Sequence, residues 1–365
     1  MTAFSPVVRV GGFGHVEAAV IGGGSPVSIQ TMWKEPLSLG SAGETERVLR
    51  RIEGLAGIGC GLLRFAVPRI EDAEILGRLA EQTAMPLVAD IHFDYKIALR
   101  CLDYPIAKLR INPGNIGGED RVRTVLEKAA EKGRPVRIGV NAGSLPHDLR
   151  EQTDCGEVTL PAALVEAAER ELALFEKYAF TDVVVSMKAS GVEDTVAAAR
   201  LFRAKHDGAA RIPLHIGVTE AGPLIAGVVR NTAALASLLG EGIGDTIRVS
   251  LSSTMENEVI AGREILNLFT DNTSIRLVSC PRCGRASFDT HGFTERWLTR
   301  LYALDKKAIV AVMGCVVNGP GEARAADLGI TGAGNKVLLF KHGEKIRTVD
   351  SADADRAFEE ELDRL

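Results

Sequence analysis

The chain is short of aromatic residues and has no surplus of positive charge. Of its 365 residues two are Trp, four Tyr and twelve Phe, and 43 Lys and Arg stand against 48 Asp and Glu, a formal charge of −5. Holding nucleic acid takes a positive field and basic side chains interleaved with aromatic ones. Neither is present, which excludes nucleic acid as a general partner and makes any anion site a local one. Cysteine is scarce too, at six, which is no disulfide framework. Long apolar runs are missing: the longest, Ala308–Val317, is half of the about 20 residues that span a bilayer. The opening MTAFSPVVRVGGFG has no basic stretch followed by an apolar one. The expectation is a cytoplasmic protein with no membrane contact.

What is present is a large apolar fraction, 46% of the residues. That is enough for a sizeable core, in a chain longer than a single core usually grows, so two domains are expected. Between Pro26 and Ser253, β-branched runs alternate with amphipathic segments. The strand candidates are 27–32, 62–68, 86–93, 107–113, 135–141, 182–188, 213–220 and 245–252. The segments between them carry helical spacing and helix-end signals, such as the glycine closing EDRVRTVLEKAAEKG and the proline opening PAALVEAAERELALFEKY. Eight such units predict an α/β fold, a (β/α)8 TIM-type barrel, with an open doubly wound sheet as the alternative. After Leu268 comes the polar break TDNTS and a Gly-rich, cysteine-bearing texture. The expected domains are residues 1–270 and 271–365, the second a small α+β domain.

Chemistry in parallel α/β folds sits at the carboxyl ends of strands. Four strands place an arginine between apolar residues there: Arg64, Arg110, Arg137 and Arg248. Asp90, His92, Asn112, Asn141, Lys188, Glu220 and Ser250 lie near the same edge. Arginine is costly to bury unpaired, and its fork of donors fits phosphate oxygens, so the four together point to a polyanion such as a diphosphate. The competing reading is that each pairs with Asp90, Glu220 or a loop carboxylate on the barrel rim. Lys188 reads as a further phosphate or hydroxyl contact, with a Schiff-base lysine as the other option. Glu220 is a candidate general acid or base, whereas His92 has the simpler reading of a hydrogen bond to a neighbouring loop.

Cys280 and Cys283 form a C-x-x-C, and Cys315 follows 32 residues later in GCVVNGPGEA. Three soft ligands are compatible with an iron–sulfur cluster, with zinc completed by His291 or His342, or with a redox dithiol and an unrelated Cys315. Glu322, delivered seven residues after Cys315 by a Gly/Pro turn, could supply a harder, more exchangeable fourth ligand. Cys60, Cys101 and Cys155 have no partner spacing and read as ordinary thiols.

Ten strings taken together, GGGSPVSIQTM, LRFAVP, ADIHFDYKIAL, LRINPGNIG, RIGVNAGSL, VVSMKAS, HIGVTEAG, GIGDTIRVSLS, SCPRCGR and GCVVNGPGEA, resemble the 4-hydroxy-3-methylbut-2-enyl diphosphate synthase family of the non-mevalonate isoprenoid pathway. The resemblance runs nearly end to end. It implies a catalytic barrel joined to a small domain holding a [4Fe–4S] cluster on Cys280, Cys283, Cys315 and Glu322. The implied substrate is 2-C-methyl-D-erythritol 2,4-cyclodiphosphate, reduced with electrons from flavodoxin or ferredoxin. By the same likeness Arg64, Arg110, Arg137, Asn141, Lys188, Arg248 and Ser250 bind substrate and Glu220 serves proton transfer. A homodimer with an active site shared between subunits is also implied. One stretch departs from the pattern: WKEPLS (33–38) stands where the family carries a Thr/Asn-rich loop, so no contact is carried over there. The rival enzyme reading keeps the barrel as a phosphosugar aldolase or pterin-type synthase stapled by zinc.

Overall fold

The computed structural model describes residues 4–37, 42–208, 211–270, 275–304, 306–317 and 319–365, without the side chains of Ala42 and Glu322. Two compact units make up the chain, Met1–Phe269 and Thr270–Leu365.

The first unit opens with an antiparallel hairpin, β1 (Val7–Phe13) and β2 (Val16–Gly22). Eight parallel strands follow: β3 (Ser28–Met32), β4 (Leu62–Ala66), β5 (Leu87–Asp90), β6 (Lys108–Ile111), β7 (Val136–Asn141), β8 (Val183–Lys188), β9 (His215–Ile216) and β10 (Thr246–Ile247). Their order is β8-β7-β6-β5-β4-β3-β10-β9. The open end between β8 and β9 is joined by a parallel bridge from Val185 to Leu214 and by Val185 N–H donating to the Pro213 carbonyl at 3.0 Å. The result is the expected (β/α)8 barrel rather than an open sheet. Residues in β4 to β8 are buried almost without interruption, because one face lines the interior and the other lies under helices. At β9 and β10 the expectation of longer strands is trimmed to two residues each. After Ile216 comes Gly217, at φ +152°, and a Cβ there would meet the Arg248 carbonyl oxygen at 2.3 Å, so the backbones run too close and too irregularly for further ladder pairing.

The hairpin was not anticipated from the sequence. Val8, Val10, Val16 and Ile21 pack against Leu62, Val88, Ala107 and Val184, residues at or near the N-terminal ends of four barrel strands. The barrel floor is thereby filled with branched apolar side chains. The departing segment after β3 also has a structural task. Trp33 is buried and stacks on Phe65 at 5.4 Å, while Lys34 Nζ donates to the Leu251 and Ser253 carbonyls and pairs with Glu258 at 2.9 Å. Ser38, the last residue of that stretch, lies outside the described residues.

The second unit is built on a five-stranded sheet ordered β11 (Arg276–Ser279), β12 (Ile309–Met313), β13 (Leu328–Ala333), β14 (Lys336–Lys341) and β15 (Glu344–Asp350). The first three strands are parallel and the last two antiparallel to their neighbours, the expected α+β arrangement. Phe293 and Trp297 of the helix Thr290–Tyr302 and Phe358 of the helix Ala354–Leu362 meet at 4.9 to 5.8 Å in one core cluster. Three of the chain's few aromatics are spent on this small core, which has least area to bury.

The loop leaving β6 passes through the helical turn Pro113–Ile116 and is held by Glu171 of the helix Leu160–Lys177. Its Oε1 accepts from the Gly114 amide at 3.0 Å, while Oε2 is buried without a partner among the described residues. Burial pushes this carboxyl up to about 7, against the opposing bond from Gly114. The folded state therefore holds the proton more tightly than the unfolded chain. The associated stability is fully present below the ordinary glutamate range and is lost as pH rises through about 7. Glu171→Gln, which keeps the acceptor for Gly114, is expected to exceed wild type in stability by on the order of 1–3 kcal/mol above pH ~8, with the gap closing near pH ~4. Urea unfolding at the two pH values measures this; a gap independent of pH would remove the carboxyl from the account.

Candidate active site

At the carboxyl ends of the barrel strands lies a cavity of about 160 Å³. Met32, Arg64, Asp90, His92, Arg110, Arg137, Asn141, Ser186, Lys188, Thr219, Arg248 and Ser250 line it. All seven residues expected to bind substrate, Arg64, Arg110, Arg137, Asn141, Lys188, Arg248 and Ser250, are therefore brought together, from four strands and the segment after β10. The period of two in a strand does this: Arg110 and Asn112, or Arg137, Gly139 and Asn141, share the inward face.

The charges do not balance. Five Lys and Arg line the cavity with one carboxylate, Asp90. Asp90 is shared, pairing with Arg110 Nη1 at 3.0 Å and with Arg64 Nε at 3.5 Å. Burial opposes ionisation of Asp90, but Arg64 and Arg110 outweigh it and hold the carboxyl below its ordinary range. Arg110 is further fixed by Nη2 donating to the Gly139 carbonyl at 3.0 Å and by Nη1 lying 2.9 Å from His92 Nε2. A Cβ on Gly139 would sit 2.3 Å from Arg110 Nε, so only glycine leaves room for this guanidinium. Among the described residues Arg137 pairs with no carboxylate. Its Nη1 donates to Ser186 Oγ at 3.0 Å, and its Nε and Nη2 are buried without a partner among the described residues.

Burial drives the Arg64 guanidinium down to about 10 and the Lys188 ammonium well below its usual range, with the neighbouring arginines adding to the effect on Lys188. His92 is also lowered, first by burial and then by Arg110 and Arg64 against the pull of Asp90. A cavity that pushes its own cations toward neutrality is one that an incoming anion would relieve.

Arg248 has a partner that sequence reasoning missed. Glu258, in the first turn of the helix Met255–Leu266, lies 3.3 Å from Arg248 Nη2, accepts from Thr31 Oγ1 at 2.6 Å and from the Leu251 amide at 2.9 Å, and pairs with Lys34. Only 1% of its side chain is exposed, and despite that burial Arg248 and the hydrogen bonds hold it below the ordinary glutamate range. An acidic residue in the first turn of a helix is an everyday surface feature, and nothing in the local pattern marks this one as buried. Glu220, by contrast, is exposed and is not among the residues lining the cavity. It follows Thr219 with a left-handed backbone, φ +53°.

In the second unit Cys280 and Cys315 follow the carboxyl ends of two neighbouring strands, and Cys283 lies in the loop after the first. Cys280 follows β11 directly and donates its amide to the Val312 carbonyl at 2.9 Å; Cys315 lies two residues beyond β12, the adjacent parallel strand. The loop between them is preformed: the Ala286 amide donates to the Cys283 carbonyl at 3.0 Å and the Ser287 amide to the Gly314 carbonyl at 2.9 Å. A Cβ on Gly314 would lie 3.1 Å from Ala286 Cβ and 3.8 Å from Cys280 Sγ, so glycine keeps this cradle open. Cys315 is buried, Cys280 half-buried and Cys283 exposed. Three thiols rising from two strand ends and one tight loop are a donor set suited to an iron–sulfur cluster. Glu322 closes the short helix Gly319–Glu322, whose first amide donates to the Cys315 carbonyl at 3.1 Å; its side chain lies outside the described residues.

Known proteins resemble this chain along both units. Residues 14–263 match the model of the GcpE TIM-barrel domain and residues 276–364 that of the GcpE protein C-terminal domain. A Treponema denticola protein named 4-hydroxy-3-methylbut-2-en-1-yl diphosphate synthase (flavodoxin) is 49% identical over 98% of this chain and 98% of its own length. A Treponema pallidum protein of the same name is 50% identical over 98% of this chain and 91% of its own. Among solved structures, Xanthomonas albilineans dihydropteroate synthase aligns at a TM-score of 0.48 and 14% identity, over 72% of this chain and 97% of that one, a likeness that carries no argument.

Because Glu258 holds Arg248, Lys34, Thr31 and the Leu251 amide at once, Glu258→Ala is expected to destabilise the barrel by about 3–5 kcal/mol. Glu256→Ala, which loses only a half-exposed pair with Arg51, is expected to cost under about 1 kcal/mol. Urea unfolding of the two variants compares them directly.

Proposed function

Since this chain belongs to the GcpE family, that of the 4-hydroxy-3-methylbut-2-en-1-yl diphosphate synthases, we propose the following division of labour for its residues. The reaction is the reductive ring opening and dehydroxylation of 2-C-methyl-D-erythritol 2,4-cyclodiphosphate to 4-hydroxy-3-methylbut-2-enyl diphosphate. Two electrons enter, one C–O bond to the diphosphate breaks, and one hydroxyl leaves as water. The zinc-stapled aldolase or pterin-type alternative is set aside on the family match across both units.

Arg64, Arg110, Arg137, Lys188 and Arg248 take the two phosphoryl groups, and Asn141 and Ser250 take the sugar hydroxyls. The observation that carries this is the cavity's imbalance, five cationic side chains around one carboxylate. Asp90 and Glu258 orient the arginines without neutralising the set. Charge-assisted donors held in a dry, fixed array are worth more to a developing anion than water is, because they need no reorganisation when the C–O bond to phosphate breaks. Glu220 acts in proton transfer to the departing hydroxyl from its exposed place at the mouth.

Cys280, Cys283, Cys315 and Glu322 hold a [4Fe–4S] cluster. When bound, that group would relay the donor's two electrons one at a time and, through the exchangeable Glu322 ligand, would offer Lewis acidity toward a substrate oxygen. Flavodoxin, or ferredoxin in its place, is the donor. The protein acts in the cytoplasm, where thiols stay reduced, as a homodimer with an active site shared between subunits.

Anaerobically purified protein is expected to carry about four iron and four sulfide per chain, to lose them in Cys283→Ala and to load poorly in Glu322→Ala. Firmly bound zinc without acid-labile sulfide would defeat the assignment. Arg110→Ala is expected to raise KM at least ~10-fold or to abolish turnover, the loss of a charge-assisted phosphate contact; unchanged kinetics would reduce Arg110 to a rim ion pair. For the dimer, co-expressed Cys283→Ala and Arg248→Ala subunits should regain part of the activity each lacks alone, and verified mixed dimers without recovery would count against a shared site.

A further inference from the structure

A second set of buried polar side chains lies below the cavity and takes no part in the assignment above. Gln30, Lys108 and His215 stand two residues before Met32, Arg110 and Gly217 on β3, β6 and β9. They therefore face the same interior, one pleat or about 7 Å nearer the N-terminal ends. All three are inaccessible, at 0%, 0% and 1% exposure. Barrel interiors at this depth are normally filled by branched apolar residues. Here the Lys108 Nζ, both His215 ring nitrogens and both side-chain amide atoms of Gln30 have no hydrogen-bond partner among the described residues, nor do Arg137 Nε and Nη2 just above. Such groups are rarely left so without a use.

The groups facing Lys108 explain its state. Arg137 of β7 and Arg64 of β4 act on it directly and His215 of β9 is coupled to it; Lys188 and Ser186 of β8, Gln30 of β3, Thr246 of β10, Arg248 just after β10 and Arg110 next along its own strand are the further buried or half-buried polar groups of this interior. The two interior carboxylates are already engaged, Asp90 on β5 by Arg64 and Arg110, and Glu258 on its helix by Arg248 and Lys34. An ammonium at Lys108 would thus sit in a dry core among guanidiniums that cannot give up their own protons. Burial, then Arg137 and Arg64, drive the Lys108 ammonium toward its neutral form, and burial with Lys188, Arg137 and Lys108 does the same to His215.

We propose that Lys108 is a further positioning residue of the diphosphate site, acting through Arg137 from the pleat below, and that it takes up one proton from solvent when the anion enters. The inference rests on the reading that this cavity takes the cyclodiphosphate. Burial disfavours the Lys108 ammonium most and Arg137 and Arg64 add to it; two negative charges placed among Arg64, Arg137 and Lys188 cancel the arginines' part and attract the ammonium besides. The ammonium so formed adds to the positive field under Arg137, whose unpartnered Nε and Nη2 are left to donate to the ligand. The ligand has no proton of its own to exchange near neutrality, since each phosphorus in the ring carries one strongly acidic group.

The test is calorimetry of the cluster-loaded protein with 2-C-methyl-D-erythritol 2,4-cyclodiphosphate, in buffers of different ionisation enthalpy, across pH ~7 to 9. Wild type is expected to take up close to one proton, and its affinity to fall up to ~10-fold per pH unit over part of that range. In Lys108→Met the proton count is expected to drop toward zero and the affinity to lose its pH dependence while binding persists. Lys108→Gln serves as a second variant that keeps a polar group in place. Buffer-independent heat in wild type overturns the proposal even if neither variant folds. Undiminished uptake in a folded Lys108 variant also overturns it, by assigning the proton to Lys188 or His215. Failure of wild type to bind the cyclodiphosphate at all would instead strike the cavity assignment.

Discussion

The structure is organised around positive charge that has been taken out of water and left under-compensated. Arg64, Lys108, Arg110, Arg137, Lys188 and Arg248 project into one barrel interior, and Asp90 and Glu258 are the carboxylates that answer them. A charge buried without a partner is among the costliest features a fold can carry. The surrounding architecture is what tolerates it: strands buried on both faces, helices outside, and a carboxylate shared between two guanidiniums rather than one for each. An interior of this kind favours an anion at its mouth. That constraint links the barrel's electrostatics to its proposed ligand more directly than any single contact does.

Much of this was legible in the sequence. The eight strand segments were each recognisable from β-branched runs, and the arginine between apolar residues in four of them placed those side chains on one edge, because strand periodicity leaves little choice of face. Other parts were hidden for identifiable reasons. Lys108 alternates with Arg110 along LRI and so shares its face, but a fully buried lysine without a counterion runs against expectation. His215 and Gln30 are single polar residues in apolar strands, which no spacing rule distinguishes. Glu258 belongs to a helix whose acidic first turn resembles any other, and only the packing of that helix against β3, which carries Thr31, and its contacts with Arg248 and Leu251 after β10 make it a counterion. The hairpin at the N-terminus was overlooked because its glycines weaken the strand signal.

In the second unit, spacing pointed to the three cysteines but left several metals open. What the fold adds is that Cys280 and Cys315 leave neighbouring parallel strands, with a glycine between them where any side chain would crowd the loop. Parallel strands end with their carbonyl ends together, so residues far apart in sequence arrive at a common edge without long loops. The first βα segment, atypical in composition, shows the reverse lesson: WKEPLS looked like a missing contact, and its described residues instead brace Glu258 and the segment after β10 through Lys34.

The apolar hairpin beneath the barrel has a kinetic consequence. With Val8, Val10, Val16 and Ile21 all at or below 4% exposure against the strand bases, these side chains close the interior from below. With the floor closed in this way, exchange of water or protons with the buried polar layer is expected to run by way of the mouth. A ligand seated there would act as a stopper, tying solvent equilibration of that layer to the residence time of the molecule above it.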